Sequence, residues 1–180
     1  ILVSKEGINV LLSGERTSLE EFLVFLKADE RFSDMTFKES LTDHQPFNRM
    51  LVRLKKEIIA FDFVMDGSVK PGQYVQPQVL KQWLDEKRDV ILLDTRNDYE
   101  IRVGTFENAV TPPMKSFKDF KEVVASLGSL KDKPIVTFCT GGVRCEKAAP
   151  YMEQQGFKEV YQIEGGILKY FEECGGAHWK

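Results

Sequence analysis

Cys139 ends the apolar stretch Pro134 to Phe138 and opens the run Cys139-Thr140-Gly141-Gly142-Val143-Arg144, which leads into a helix-like stretch. A strand that delivers a cysteine into a glycine-containing loop, which then starts a helix, converges backbone N–H groups and the helix's positive end on one sulfur. That environment favours thiolate over thiol, and the thiolate is the nucleophile. Gly141 and Gly142 can take backbone angles closed to other residues, so the amides can curl inward. Arg144 then closes the ring with a guanidinium able to stabilise a thiolate, a persulfide or an anionic substrate. The plain alternative is a buried core thiol, because free cysteine is among the most buried residue types. Strand, glycine pair, arginine and helix together weigh against it.

Around this cradle stand further candidates. Cys145 follows Arg144 directly and is either a resolving thiol or, as its place in a first helical turn favours, an inward-packed residue. Asp94 and Arg96, at the end of another strand-like run, could orient the loop from behind through an ion pair, although such charges at a strand end are commonly scaffold. Arg49, Arg53, Lys55 and Lys56 form the strongest local basic cluster, beside Phe47, and suit phosphate contacts, although a solvated strand face is the reading the sequence alone favours. Cys174 lies near Gly175-Gly176 and reads as structural. His44 and His178 stand far apart, which with three cysteines and no CxxC spacing gives no expected metal site. No flavin or nicotinamide fingerprint appears, so no cofactor is evident.

The elements that must position these residues alternate. Pro77 suits a first helical position, with Leu80, Trp83 and Leu84 as its apolar stripe, and Val90 to Leu93 is a short strand ending at Asp94. Ser116 with Asp119 caps a helix carrying Phe117, Phe120, Val124 and Leu127. Pro134 to Phe138 is the next strand, Ala148, Ala149 and Met152 share one helix face, Gly156 ends that helix, and Val160 to Ile163 is another strand. Such alternation predicts an α/β domain with a mostly parallel sheet, its ligand site at the carboxyl ends of the strands.

Upstream, Ile1 to Val3 and Ile8 to Leu12 read as two antiparallel strands or one bent strand, and Ser18 with Glu21 predicts a capping box for a helix carrying Leu19, Phe22, Leu23 and Leu26. Met50 to Phe61 returns to a strand-like pattern. Residues 1–65 are thus expected to form a small α+β domain, 66–76, with Gly67, Ser68, Pro71 and Gly72, a linker, and 77–180 the second domain. At 180 residues, 42% hydrophobic and 29% charged, the chain has ordinary globular composition with no apolar run of membrane-spanning length. A net charge of −3 excludes a generally basic nucleic-acid binder and leaves room for a local patch. The cysteine usage points to a reducing compartment, the cytoplasm.

The loop Cys139 to Arg144 resembles the active-site loop of the rhodanese (sulfurtransferase) superfamily, and Asp94-Thr95-Arg96 with Glu100 and Gly104 resembles its strand-end motif. Four residues separate Cys139 from Arg144, the sulfur-handling spacing, where the related phosphatases have five. Gly104-Thr105-Phe106 departs from the usual Gly-His-Ile. A narrower resemblance, carried by Glu6-Gly7-Ile8-Asn9, Phe138 to Ala148 and Tyr161-Gln162-Ile163-Glu164-Gly165-Gly166-Ile167, is to the bacterial rhodanese-domain tRNA uridine hydroxylases. It implies a rhodanese-like domain preceded by a truncated acylphosphatase-like (ferredoxin-like) domain. It also implies hydroxylation of wobble uridine 34 to 5-hydroxyuridine with molecular oxygen as co-substrate, tRNA as partner and Cys139 as the required residue. Elements before Ile1 and a cysteine-containing tail after Lys180 are expected from the same resemblance. The alternative is a sulfurtransferase that moves sulfane sulfur from a small donor through a Cys139 persulfide. Oligomeric state is not legible.

Overall fold

A computed structural model describes residues 1–63, 65 and 69–180, and the chain divides into two compact units, Ile1–Ile58 and Ile59–Lys180. In the first unit, β1 (Leu2–Ser4) and β2 (Gly7–Asn9) pair antiparallel, Val3 opposite Ile8, so the apolar runs at its start are two strands. Helix α1 (Arg16–Lys27) follows. It begins before the predicted capping box: Leu19 N–H already donates to Glu15 O, and Glu15, with no side-chain cap bond, is the N-cap. Ser18 therefore lies inside the first turn. The third strand, β3, is only Arg53–Leu54, parallel to β1, giving the order β2-β1-β3. The strand pattern from Met50 to Phe61 is thus realised over two residues.

The last apolar residues of that stretch, Ile59 and Phe61, serve the second unit. Phe61 is 1% exposed, its ring 4.7 Å from Phe117 and 5.0 Å from Tyr151, and Ile59 and Phe63 pack against the same cluster. Within the span expected to be a linker, residues 66–68 lie outside the described residues, while β4 (Gln73–Val75) is a strand of the second sheet. Helix α2 (Pro77–Asp85) has Pro77 at its first turn as predicted.

The second unit then runs β5 (Ile91–Asp94), α3 (Asp98–Ile101), a 3₁₀ turn Phe117–Asp119 leading into α4 (Phe120–Ser126), β6 (Pro134–Phe138), α5 (Cys145–Gln154), β7 (Glu159–Ile163) and α6 (Gly166–Cys174). Asp119 accepts from Ser116 N–H at 3.0 Å, so the predicted cap forms. All strand pairs are parallel, in the order β4-β7-β6-β5. Because successive strand residues face opposite ways, Leu93 and Ile135 join the cluster of α4 and α5, whereas Leu92, Val136 and Phe138 join Leu80, Ile167 and Tyr170 of α2 and α6. Helices cover both faces of the sheet. The strands end together at Asp94, Phe138 and Ile163, and Cys139 stands at that edge.

Candidate active site

Cys139 leaves β6 and the loop climbs to Arg144, the N-cap of α5. Gly142 takes φ +90°, a conformation costly for a side chain, which lets the loop turn back on the sulfur. Within the loop the Cys145 N–H donates to Gly142 O at 2.9 Å, and the Arg144 charge acts on the Cys139 sulfur. Cys139 is 1% exposed, beneath a loop whose Gly141 and Val143 face solvent.

The electrostatics follow from those contacts. A hydrogen bond from the Cys145 thiol pulls the Cys139 pKa down; burial opposes this, and the Arg144 charge and the backbone N–H groups of Cys145 and Arg144 add to the pull. The thiolate is thereby favoured well below the ordinary thiol range. Cys145, fully enclosed, is pushed up by burial first and then by its bond to Cys139. Its sulfur also lies 3.6 Å from Thr95 Oγ1. Inward packing, the favoured reading of Cys145, is what the fold shows: the residue is 0% exposed.

Arg144 is shared. Its guanidinium grips the Glu100 carboxylate with Nη1 to Oε2 at 2.6 Å and Nη2 to Oε1 at 2.7 Å, while Thr140 Oγ1 donates to the same carboxylate at 2.9 Å. Burial raises the Glu100 pKa, but the bonds from Arg144 and Thr140, the Arg144 charge and the Asn97 N–H outweigh it and hold the carboxyl at about 2. A carboxylate from α3 thus fixes both ends of the Cys139 loop. The motif had drawn attention to Glu100, but not to this pairing across 44 residues of chain. The only local signal is the Asn97-x-x-Glu100 spacing of a helix start, at which Glu100 accepts from Asn97 N–H at 3.2 Å.

Asp94 and Arg96 act one layer further back. Both are buried, at 0% and 3% exposure, and Asp94 accepts from Arg96 Nη2 at 2.7 Å, Arg96 N–H at 3.0 Å and Thr105 Oγ1 at 2.9 Å. Arg96 in turn donates to Gly104 O at 2.6 Å and Glu100 O at 3.3 Å. The pair therefore holds the 96–105 segment, which carries Glu100. Trp179 lies over the Arg96 guanidinium, 5.2 Å from its ring centre. The departure at Gly104-Thr105-Phe106 is absorbed here: Thr105 bonds Asp94, and Phe106 packs edge-on against Phe138 and Tyr170.

A second brace went unrecognised in the sequence. Ile167 N–H donates to Cys139 O at 3.0 Å and Leu168 N–H to Thr140 O at 3.1 Å, so the first turn of α6 is tied to the loop backbone. Gly166, at φ +65°, has no room for a side chain: a Cβ there would stand 2.5 Å from Cys139 O and 2.6 Å from Gly142 N. The Gly165-Gly166 pair was a visible signal of this close approach.

The structure brings Cys139, Thr140, Gly141, Gly142, Val143, Arg144, Asp94 and Arg96 to one edge of the second unit. Arg49, Arg53, Lys55 and Lys56 belong to the first unit and are all exposed. Cys174 is partly buried, and His178 Nε2 pairs with Asp85 at 2.8 Å. Among the described residues, no group of three or more His, Cys, Asp or Glu is arranged to hold a metal ion, and no helix is long and apolar enough to cross a membrane.

Residues 1–58 match the UPF0176 acylphosphatase like domain and residues 76–173, more than half the chain, match the rhodanese-like domain. The rhodanese-like domain of Anabaena sp. superposes with a TM-score of 0.50 at 20% identity, over 62% of this chain and 79% of that one, a likeness of fold. The tRNA uridine(34) hydroxylase of Cupriavidus taiwanensis is 50% identical over the whole chain, which spans 66% of that relative's length. The protein of the same name from Burkholderia lata is 47% identical over 99% of this chain and 67% of its own. With both domains in this order and this degree of identity, the chain belongs to the rhodanese-domain family whose curated members are named tRNA uridine(34) hydroxylase.

Proposed function

We propose that the protein hydroxylates wobble uridine 34 of tRNA to 5-hydroxyuridine, with molecular oxygen as co-substrate and Cys139 as the reacting residue. The observation that carries this reading is the placement of buried Cys139 at the end of β6, opening the loop that Arg144 closes, in a chain of this family, with the Arg144 charge among the causes that lower its pKa. A thiolate poised at neutral pH suits attack on an electrophilic centre far better than a neutral thiol. The exposed Arg49, Arg53, Lys55 and Lys56 of the first unit are the groups suited to tRNA phosphates, and a tRNA substrate implies work in the cytoplasm.

Nucleoside mass spectrometry of tRNA from cells with and without the protein tests this. Loss of 5-hydroxyuridine and its derivatives on deletion, restored by the wild-type protein and not by Cys139→Ser, is the expected result; an unchanged nucleoside profile overturns it. The four-residue spacing between Cys139 and Arg144 favours a second reading, sulfane-sulfur transfer through a Cys139 persulfide. Thiocyanate formation from thiosulfate and cyanide, with an unchanged tRNA profile, selects that reading instead.

A further inference from the structure

The Cys139 sulfur is recessed: the residue is 1% exposed, in the loop it opens. A base that brings its C5 carbon to that sulfur has to leave the stack of its neighbours, and each neighbour then shows a bare face to solvent. Helix α3 stands beside the loop and is held firmly there. Asp98 Oδ1 accepts from Met114 N–H at 2.8 Å, and Asp98 N–H donates to Met114 O at 2.9 Å. Glu100 binds Arg144 at 2.6 and 2.7 Å and Thr140 at 2.9 Å.

The residues that α3 leaves in solvent are of another kind. Tyr99 is 65% exposed, its hydroxyl meets only Asn97 Nδ2, at 3.5 Å, and its ring makes no ring–ring or cation–π contact among the described residues. Arg102, three residues on and so on the same helix face, is exposed, and its guanidinium has no hydrogen-bond or ion-pair partner among the described residues. Val103, one position further, is 84% exposed. Consecutive α-carbons are about 3.8 Å apart, so an open aromatic ring directly precedes Glu100, which grips the Cys139 loop. A flat π-face with a guanidinium beside it suits single-stranded RNA, base on ring and phosphate on arginine. A protein partner covering Tyr99 and Val103 would have to bury the Arg102 charge beside them, which favours a polyanion as the occupant.

We propose that Tyr99 is the stacking platform for a nucleobase next to uridine 34, with Arg102 on that nucleotide's phosphate, so that α3 holds the anticodon loop open while the uracil reaches Cys139. The assignment rests on the tRNA hydroxylase reading. It makes Tyr99 a substrate-binding residue whose loss shows in RNA affinity and not in the reactivity of the sulfur.

The test is photocrosslinking of the full-length wild-type protein to an anticodon stem-loop RNA that carries 5-iodouridine at position 33 or 35, read by peptide mass spectrometry. A crosslink on Tyr99 from one of the two positions is expected; crosslinks confined to other residues, or none, from both positions overturn the proposal. In filter binding of tRNA, Tyr99→Ala should weaken affinity roughly 5- to 100-fold, the worth of one base–aromatic stack, while Tyr99→Phe keeps it. Arg102→Gln should lower the salt slope of binding by about 1. Cys139 alkylation should proceed at the wild-type rate in all three variants. Slower alkylation in Tyr99→Ala would make the residue a support of the loop, and unchanged affinity would make it a solvated side chain; either overturns the proposal and leaves the hydroxylase reading standing. Failure of the wild-type protein to bind the stem-loop at all removes both. The crosslink needs no variant, so it decides the matter should Tyr99→Ala fail to fold.

Discussion

Glu100 and Arg144 meet in a two-pronged pair, 2.6 and 2.7 Å, that joins the helix after β5 to the helix after β6. The pair is largely shielded, the side chains being 16% and 19% exposed. Glu100→Gln should cost roughly 1–3 kcal/mol, between an exposed and a buried ion pair, measured by urea unfolding. Because the Glu100 carboxyl is held at about 2 against an ordinary 4.5, its contribution is complete above about pH 4.5 and is lost as pH falls through about 2. A wild-type unfolding curve that matches Glu100→Gln at pH 7 would show that the pair does not support the fold.

Cys139 should alkylate with iodoacetamide at a rate whose pH midpoint lies below roughly 7.5, as for other activated thiols. The signal should vanish in Cys139→Ser, and Cys145→Ala, which removes the first cause of the lowered pKa, should move the midpoint up. The sign for stability follows: the thiolate's contribution is complete above the ordinary 9.0 and is lost as pH falls through the lowered native value. A midpoint at or above 9 contradicts the cradle.

Gly166→Ala drives a Cβ to 2.5 Å from Cys139 O and 2.7 Å from Thr140 O, at a backbone angle that already penalises alanine. The cost is expected at about 1–3 kcal/mol or more, with slower Cys139 alkylation because the loop must shift. Gly141→Ala, where a Cβ meets nothing within 4 Å, is the control and should alkylate at the wild-type rate.

Asp94→Ala leaves Arg96 buried without its carboxylate and should cost about 3–5 kcal/mol, read from the urea midpoint of the second unit. Arg96→Lys should also destabilise, by less, since one ammonium keeps the charge beside Asp94 but cannot reach Asp94, Gly104 O and Glu100 O together.

Replacing Arg49, Arg53, Lys55 and Lys56 by glutamate should weaken tRNA binding at least tenfold and flatten its salt dependence. An unaltered filter-binding curve at several salt concentrations would assign these residues to a solvated face.

The short apolar runs ending near Asp94, Phe138 and Ile163 announced three of the four parallel strands, because a strand buried on both faces writes itself as a continuous apolar run. β4, with Gln73 and Tyr74 exposed at the sheet edge, has no such run and passed for a linker. Phe61 looked like a strand residue of the first domain because apolar character does not say which core will receive it. At the site, Cys139, the glycines and Arg144 were legible, since a loop between strand and helix is a local pattern. The grip of Glu100 on Arg144 and of α6 on the Cys139 carbonyl was not, because each joins residues far apart in sequence.

The two amides that α6 lends to the loop, those of Ile167 and Leu168, exchange with solvent only when the loop and the helix part company. They are therefore built-in reporters: their deuterium uptake gives the frequency with which the sulfur's housing opens, without any label on the cysteine itself. A ligand that settles over Cys139 and Gly141 should slow both amides together, while Tyr170, buried two residues further along α6, stays unchanged.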